Sequence, residues 1–143
     1  MVTIGLVFLL MFAVPSTSFA GPVDHKVVKV LDGKTVRIGS EDYRLVGFDT
    51  PETYRAKCSQ ERALGESAKK RVVEIVARGG LDLTEVPCSC PSDAIGTRRC
   101  NRGRLCAKLT AFGQDVGEML RREGLSRVFL CGPHSCPRRR GWC

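Results

Sequence analysis

Short stretches of alternating apolar and polar residues, separated by turn residues, characterise the chain between residues 27 and 48. Valines at positions 27, 28 and 30 lead into the turn dipeptide Asp32-Gly33, and residues 35–38 continue with β-favouring side chains. Gly39-Ser40 gives the next turn signal, and residues 43–48 form a further apolar-rich segment. Strands that follow one another so closely predict a meander rather than a βαβ unit.

The hydrophobic pattern changes to helical spacing between residues 60 and 78, with charged residues on the opposite face. Gly79-Gly80 then follows, which is typical of a helix end. A shorter amphipathic helix is predicted at residues 116–120, ahead of Gly124. The apolar face of the first helix consists of Leu64, Ala68, Val72, Ile75 and Val76.

Two further strands are predicted at residues 81–86 and 103–112, with a loop rich in Pro, Gly, Ser and Cys between them. Residues 125–130 are predicted to be extended. Five strands with a helix after the third and a short helix after the fifth fit a small closed barrel. We therefore expect a mainly β fold with helices (α+β), in the form of a five-stranded OB-fold barrel braced by disulfides.

The N-terminal residues have the pattern of an export signal. An uncharged apolar run at residues 4–14 is broken by Pro15, and Ser18-Phe19-Ala20 places small residues where signal peptidase requires them. The run is shorter than the ~20 apolar residues of a membrane span, although an uncleaved anchor is the alternative. The predicted organisation is a signal peptide at 1–20, one domain at 21–130 and a Cys/Arg-rich tail at 131–143, in a periplasmic or secreted protein.

All eight cysteines lie beyond the predicted signal peptide. An even number of cysteines in a short exported chain predicts a disulfide framework, whose connectivity is one of about a hundred possibilities. The alternative is a zinc site, although no clean pair of C-x-x-C knuckles is present. Its candidate ligands are Cys88, Cys90, Cys131, His134 and Cys136.

The chain is basic, with a formal net charge of +8, and the predicted signal peptide contributes no ionisable side chain. Such a charge is expected of a protein that binds polyanions, although solubility alone also accounts for basic exported proteins. With one Trp and two Tyr, stacking on bases is expected to be limited. The positive clusters are Arg98, Arg99, Arg102, Arg104 and Lys108, and residues 138–140.

The segment from residue 44 to 53 carries the candidate chemistry. Arg44 lies on a predicted strand, and Asp49 and Glu52 follow where the strand enters a loop. The two carboxylates can bind a hard cation, or one of them can act as a general base. Arg44 and Arg104 can each present a planar fork of donors to a phosphate. The alternative is an ordinary capped loop beside solvent-facing arginines.

These motifs, in their order along the chain, resemble the staphylococcal-nuclease-like (thermonuclease) family over residues 25–130. The matching segments are VLDGKTV at 30–36, RLVGFDTPET at 44–53, the predicted helix, NRGRLCA at 101–107 and GQDVGEMLRREGLSRV at 113–128. The resemblance implies an OB barrel that hydrolyses DNA and RNA with Ca²⁺. It implies catalytic roles for Arg44, Glu52 and Arg104, and metal binding by Asp49 and the Thr50 carbonyl oxygen.

The chain departs from the family pattern at three places. Lys34 stands where the family has an aspartate that binds calcium, so calcium dependence is expected to be weak. Arg102 replaces a tyrosine, and we expect Arg102 and Lys108 to contact nucleic acid by charge. The Cys-rich tail replaces the family's last helix. We therefore predict an exported nuclease that is a monomer without stable membrane association; the alternative is a catalytically weakened nucleic-acid-binding or interaction module.

Overall fold

A computed structural model describes residues 18–143, and nearly all of the predicted signal peptide lies outside the described residues. The fold is mixed α+β, with a curled half-barrel sheet and two α-helices. The strands are β1 (Ala20–Val23), β2 (Val28–Asp32), β3 (Thr35–Ile38), β4 (Glu41–Leu45), β5 (Gly47–Asp49), β6 (Leu81–Val86), β7 (Leu105–Ala111), β8 (Gln114–Asp115) and β9 (Arg127–Phe129). The helices are α1 (Ser59–Ala77) and α2 (Val116–Arg122), with 3-10 turns at His25–Val27 and Asn101–Gly103.

The main sheet has the strand order β1-β6-β7-β4-β3-β2, with β8 paired to β7. The pairs are antiparallel except for β4 and β7, which run parallel, with Arg44 opposite Cys106. This parallel pairing brings the segment that carries Arg104 alongside the strand that carries Arg44. The two sequence-predicted arginines therefore reach one region of the sheet, although 60 positions separate them in the chain.

The sequence pattern predicted a single strand at residues 43–48, but the structure divides this segment between two strands. The chain leaves β4 after Leu45, and Gly47 adopts a φ of +92°, which an L side chain rarely adopts. Gly47 also begins β5, which runs to Asp49 and pairs with β9 in a separate two-stranded sheet. The bend directs residues 49–52 away from the main sheet, toward the β2–β3 turn.

The core lies between the two helices and one face of the sheet. Val36, Tyr43 and Leu45 pack with Leu83 and Leu109 from the sheet, and the predicted apolar face of α1 contributes Val72, Ile75 and Val76. The prediction of α1 is confirmed to within a residue at each end, because Cys58 provides the N-cap and Gly79 and Gly80 follow with positive φ. Neither helix in residues 18–143 has the length and hydropathy of a membrane-spanning segment.

β1 was not predicted, because residues 18–20 were interpreted as a cleavage signal. Ala20–Val23 pair with β6, and the Phe19 carbonyl oxygen accepts a hydrogen bond from the Glu85 N–H. Cleavage after Ala20 stays a prediction. Such cleavage would remove Ala20 from β1 and keep Gly21–Val23 in the mature protein.

All eight cysteines form disulfides, so the predicted disulfide framework is confirmed. The pairs are Cys58–Cys143, Cys88–Cys106, Cys90–Cys100 and Cys131–Cys136. The zinc alternative is wrong because every candidate cysteine ligand is bonded to another sulfur, and residues 18–143 contain no cluster of three metal-ligating side chains. The Cys58–Cys143 bond joins the last residue of the tail to the start of α1.

We predict that this longest cross-link contributes most to stability. Cys58 and Cys143 are 85 positions apart, whereas Cys131 and Cys136 are five apart. Loop-closure entropy then gives ~4.5 kcal/mol for the first bond and ~2 kcal/mol for the second. In urea unfolding, Cys58→Ser/Cys143→Ser should lower the free energy of unfolding by clearly more than Cys131→Ser/Cys136→Ser. Equal losses would contradict the prediction.

Candidate active site

Lys34 lies at the centre of the candidate site, in the turn between β2 and β3. Its ammonium donates to Asp49 Oδ1 at 2.9 Å, to the Thr50 carbonyl oxygen at 3.0 Å and to Glu52 Oε1 at 3.0 Å. Lys34 and Asp49 are buried, and each side chain is 7% exposed. The lysine therefore fixes the loop that follows β5 against the β2–β3 turn.

Arg139 reaches the same three residues from the C-terminal tail. Its Nε donates to Asp49 Oδ2 at 3.0 Å, its Nη1 to Glu52 Oε1 at 2.7 Å and its Nη2 to the Thr50 carbonyl oxygen at 3.4 Å. Two cations from opposite ends of the domain thus contact one pair of carboxylates.

The protonation of the two carboxylates follows from these contacts. Burial alone would raise the pKa of Asp49 and of Glu52, but the charge and hydrogen bond of Lys34, reinforced by Arg139, outweigh it. The pKa of both carboxyls therefore lies below the usual range, and both are ionised at neutral pH. For Arg139 burial works against the charged form, yet its bonds to Asp49 and Glu52 raise its pKa.

Arg44 and Arg104 lie beside this cluster. Alternation along β4 sends Tyr43 and Leu45 into the core and Arg44 to the opposite face. Arg44 Nη2 donates to the Phe48 carbonyl oxygen at 3.0 Å and lies 3.7 Å from Asp49 Oδ1. Burial lowers the pKa of Arg44 to about 10, with Asp49 opposing the shift, so Arg44 remains charged at neutral pH.

Asn101 holds Arg104 in place. Arg104 Nε donates to the Asn101 carbonyl oxygen at 3.0 Å, and Arg104 Nη2 donates to Asn101 Oδ1 at 2.8 Å. Asn101 and Arg102 both adopt left-handed backbone conformations, with φ of 51° and 60°. Two such non-glycine residues in succession are strained. The Asn101 side chain is held by the Cys88–Cys106 disulfide, whose sulfur atoms lie 3.8 Å and 3.3 Å from Asn101 Nδ2. Burial, followed by the charge of Arg102, lowers the pKa of Arg104.

The loop that carries Glu52 rests on the start of α1. Buried Glu61 accepts hydrogen bonds from the Lys57 N–H at 2.8 Å and the Glu52 N–H at 3.3 Å. One turn further along, Gly65 lets the helix approach the loop, because a Cβ there would lie 2.5 Å from the Glu52 carbonyl oxygen. Glu61 and Gly65 are thus positioning residues for Glu52.

The charged side chains of the site line one groove of about 840 Å³. The loop between Pro87 and Arg104 forms one wall, and residues 129–139 form the other. Eight lining side chains are cationic and three are acidic, so the groove is strongly positive. The cationic residues are Lys34, Arg44, Arg55, Arg99, Arg102, Arg104, Lys108 and Arg139, and the acidic residues are Asp32, Asp49 and Glu52.

The residues of the groove do not fit a calcium ion. Asp49 and the Thr50 carbonyl oxygen, the ligands that the resemblance implied, are adjacent as expected, but each already accepts a hydrogen bond from Lys34 and from Arg139. A calcium ion requires six to eight oxygen ligands and gains affinity from anionic ones. At the position where the resemblance implies a third carboxylate, this chain has Lys34, whose ammonium repels a divalent cation.

Most residues of this site, but not all, are predictable from the sequence. Arg44, Arg104, Asp49, Thr50 and Glu52 lie together as expected, and Arg102 and Lys108 line the groove. Arg139, Asn101 and Glu61 were not predicted as site residues. The only sequence signal for Arg139 was the basic run at 138–140, and nothing in that run distinguishes one arginine from the next.

The chain is similar to two endonucleases of Bacillus subtilis (strain 168). It is 36% identical to the SPbeta prophage-derived endonuclease YokF over 110 residues, which are 74% of this chain and 34% of the relative. It is 36% identical to endonuclease YncB over 104 residues, which are 70% of this chain and 45% of the relative. The chain thus spans a third to just under half of these curated relatives. No family model matches the chain.

We predict that acid destabilises the protein through Asp49 and Glu52. Their pKa values are depressed in the folded state, so their stabilising contribution is present above the unfolded values near pH ~4 and is lost as the pH falls through the folded values. The free energy of unfolding, measured by urea titration between neutral and strongly acidic pH, should fall over this range. Asp49→Asn should be less stable at neutral pH and lose less on acidification. An equally steep loss in that variant would contradict the assignment.

We predict that Gly65→Ala displaces the loop that carries Glu52. The added methyl would lie 2.5 Å from the Glu52 carbonyl oxygen and 3.1 Å from that of Pro51, which is closer than van der Waals contact, so either the helix or the loop must shift. The cost should be about 1–3 kcal/mol in the free energy of unfolding, measured by thermal or urea denaturation. Glu66→Ala, at the exposed neighbouring position of α1, is the control and should remain within about 0.5 kcal/mol of the natural protein.

Proposed function

We propose that the protein is an exported, thermonuclease-like nuclease that hydrolyses phosphodiester bonds in DNA or RNA. The observation that carries the proposal is the convergence of Arg44, Arg104 and Glu52 on one positively charged groove. The similarity to two proteins named endonucleases supports the same conclusion. The positive groove matches the charge of a nucleic-acid backbone, because neutralised phosphates release counterions and so favour binding.

Each residue has a defined role in the proposed reaction. Arg44 and Arg104 bind the scissile phosphate and stabilise the negative charge that develops on its oxygens. Glu52 orients a water molecule and takes its proton as the water oxygen bonds to phosphorus. The bond from phosphorus to the leaving ester oxygen then breaks, and the leaving oxygen takes a proton from solvent. Burial keeps these charges in a low-dielectric setting, where their interactions are stronger than in water.

Little dependence on calcium is part of the proposal. Lys34 already supplies a positive charge between Asp49 and Glu52, so the proposed reaction relies on side-chain cations for electrostatic stabilisation. An ammonium cannot supply a metal-bound hydroxide, so we expect turnover to be slow. Residual activity should persist in the presence of a chelator.

The proposal includes an OB-barrel fold and a location outside the cytoplasm, and a separate observation supports each of them. The curled sheet with β5–β9 beside it is compatible with a five-stranded OB barrel of the staphylococcal nuclease type. The four disulfides favour an oxidising compartment, which agrees with the export signal predicted at residues 1–20. The periplasm and the extracellular space both meet this condition.

One observation favours a second candidate, a nucleic-acid-binding module with little catalysis. Glu52 Oε1 accepts hydrogen bonds from both Lys34 and Arg139, and these contacts lower the basicity of the carboxylate. Purified oxidised protein, incubated with plasmid and single-stranded DNA with Ca²⁺ and then with chelator, separates the two functions. Strand cleavage supports the nuclease, whereas salt-sensitive binding without cleavage supports the binding module.

We predict that Glu52→Gln and Arg104→Ala each remove most of the cleavage activity. Glutamine keeps the size of Glu52 but cannot take a proton from water. Alanine at 104 removes donors to the developing phosphate charge, at a cost of about a hundredfold in rate. Exposed Glu66→Gln and Arg62→Ala are matched controls that should cleave at the natural rate. Unchanged turnover in either site variant, measured with folded protein, would show that the role assigned to that residue is wrong.

A further inference from the structure

The C-terminal tail is held against the domain at several points. Cys143 is bonded to Cys58 at the N-cap of α1. Trp142 is buried, with Arg127 stacked 3.7 Å from the centroid of its ring, and Arg127 Nη1 donates to the Gly141 carbonyl oxygen at 2.8 Å. These contacts fix the chain just after Arg139, so the position of its guanidinium is a built feature of the fold.

Lys34 and Arg139 bind the same three residues of the site. Lys34 binds one oxygen of Asp49 and Arg139 binds the other. Both cations bind the Thr50 carbonyl oxygen and Glu52 Oε1. Lys34 and Arg139 together bring two positive charges to the two carboxylates, which is the charge that one divalent cation would bring, and Arg44 adds a third charge 3.7 Å from Asp49.

Arg139 retains donors for a ligand. A guanidinium carries five N–H groups, and contacts within the protein use one on each of the three nitrogens. One N–H on each terminal nitrogen is therefore left over. The side chain is 42% exposed and lines the groove with Arg44 and Arg104. Each of these two N–H groups can donate to a phosphate oxygen that enters the groove.

We propose that Arg139 is a phosphate-binding residue and that, with Lys34, it forms a two-cation centre in place of a divalent metal. The inference rests on the proposed nuclease function, which supplies the phosphodiester substrate. It adds Arg139 to the residues that bind this substrate and assigns the role of the metal to two side-chain cations. Lys34 neutralises and orients the two carboxylates from the protein side. Arg139 neutralises them from the groove side and binds the incoming phosphodiester with its two remaining N–H groups.

The charge arrangement gives a test that needs no nuclease activity. Calorimetric Ca²⁺ titration is carried out on the natural protein, Lys34→Asp, Arg139→Ala and the double variant. Lys34→Asp restores a third carboxylate, but Arg139 still occupies Asp49 and Glu52, so this variant should bind Ca²⁺ at least tenfold more weakly than the double variant. Equal calcium affinity of Lys34→Asp and the double variant, or tight binding by the natural protein, would overturn the two-cation centre.

Thermal unfolding with and without Ca²⁺ accompanies each titration. Lys34→Asp places three carboxylates close together, so the two variants that include this substitution should be stabilised by Ca²⁺, and the double variant most of all. Arg139→Ala keeps Lys34 between the carboxylates, so it should fold without metal. If the two variants that include Lys34→Asp do not fold, the proposal is tested by the cleavage and oligothymidylate-binding measurements on variants of Arg139.

Cleavage of single-stranded DNA in chelator tests the role toward phosphate. Arg139→Ala should lower kcat by roughly tenfold to a hundredfold, because it removes donors to the developing phosphate charge. Arg139→Lys should recover part of the loss. Arg138→Ala and Arg140→Ala, at exposed neighbouring positions of the tail, are the controls and should retain the natural kcat. An unchanged kcat in Arg139→Ala would overturn the proposal, and a raised kcat would show instead that the tail obstructs the site.

Binding of a short fluorescent oligothymidylate tests the phosphate-binding role of Arg139 independently of the proposed nuclease activity. If the natural protein cleaves no nucleic acid, the nuclease assignment fails, yet Arg139→Ala should still weaken oligothymidylate binding more than Arg138→Ala or Arg140→Ala does. Equal weakening by the three substitutions would show that the tail contributes only diffuse charge, and the phosphate-binding role of Arg139 would be lost.

Discussion

The burial of one ammonium group is the constraint on which the rest of the site depends. Removing a charge from water costs several kcal/mol unless every one of its hydrogen-bonding groups finds a partner. An ammonium has three N–H donors, and Lys34 has three acceptors in Asp49, Thr50 and Glu52. The loop after β5 must therefore follow a path that places all three oxygens around one nitrogen.

The glycines and the first helix make that path possible. Gly33 lies against Thr50 and Ala68, where a Cβ would be only 2.9 Å from either neighbour. Gly65 allows α1 to touch the backbone of Glu52, and Glu61 accepts its N–H. The helix that closes the hydrophobic core is thus also the support for Glu52, so packing and the chemistry of the site depend on the same contacts.

Periodicity and local motifs predicted the parts of the structure that depend on neighbouring residues. The boundaries of α1 follow from its apolar face and the glycines after it, and β6 follows from alternation. Arg44 and Glu52 share one short segment, so their proximity is local. Arg104 was expected beside them because of the family resemblance, and the parallel pairing of β4 with β7 places it there.

The residues that sequence analysis missed depend on long-range contacts. Arg139 reaches the site because Cys143 pairs with Cys58, and that pairing is one of about a hundred that eight cysteines allow. Gly47 was not recognised as a bend because a positive φ leaves no periodic signal. Asn101 supports Arg104 through a strained backbone, which only the folded chain displays.

The tail therefore adds both stability and charge. A small domain buries a limited core, so a cross-link that closes a long loop stabilises it substantially. The bond that does so here ends four residues from Arg139, and stacking of Trp142 on Arg127 limits the freedom of the chain between them. A calcium ion has to be acquired from solution, whereas Arg139 is supplied by the chain once Cys58 and Cys143 are joined. In the proposed two-cation centre, the charge that Arg139 contributes is thus coupled to oxidative folding rather than to the concentration of a metal.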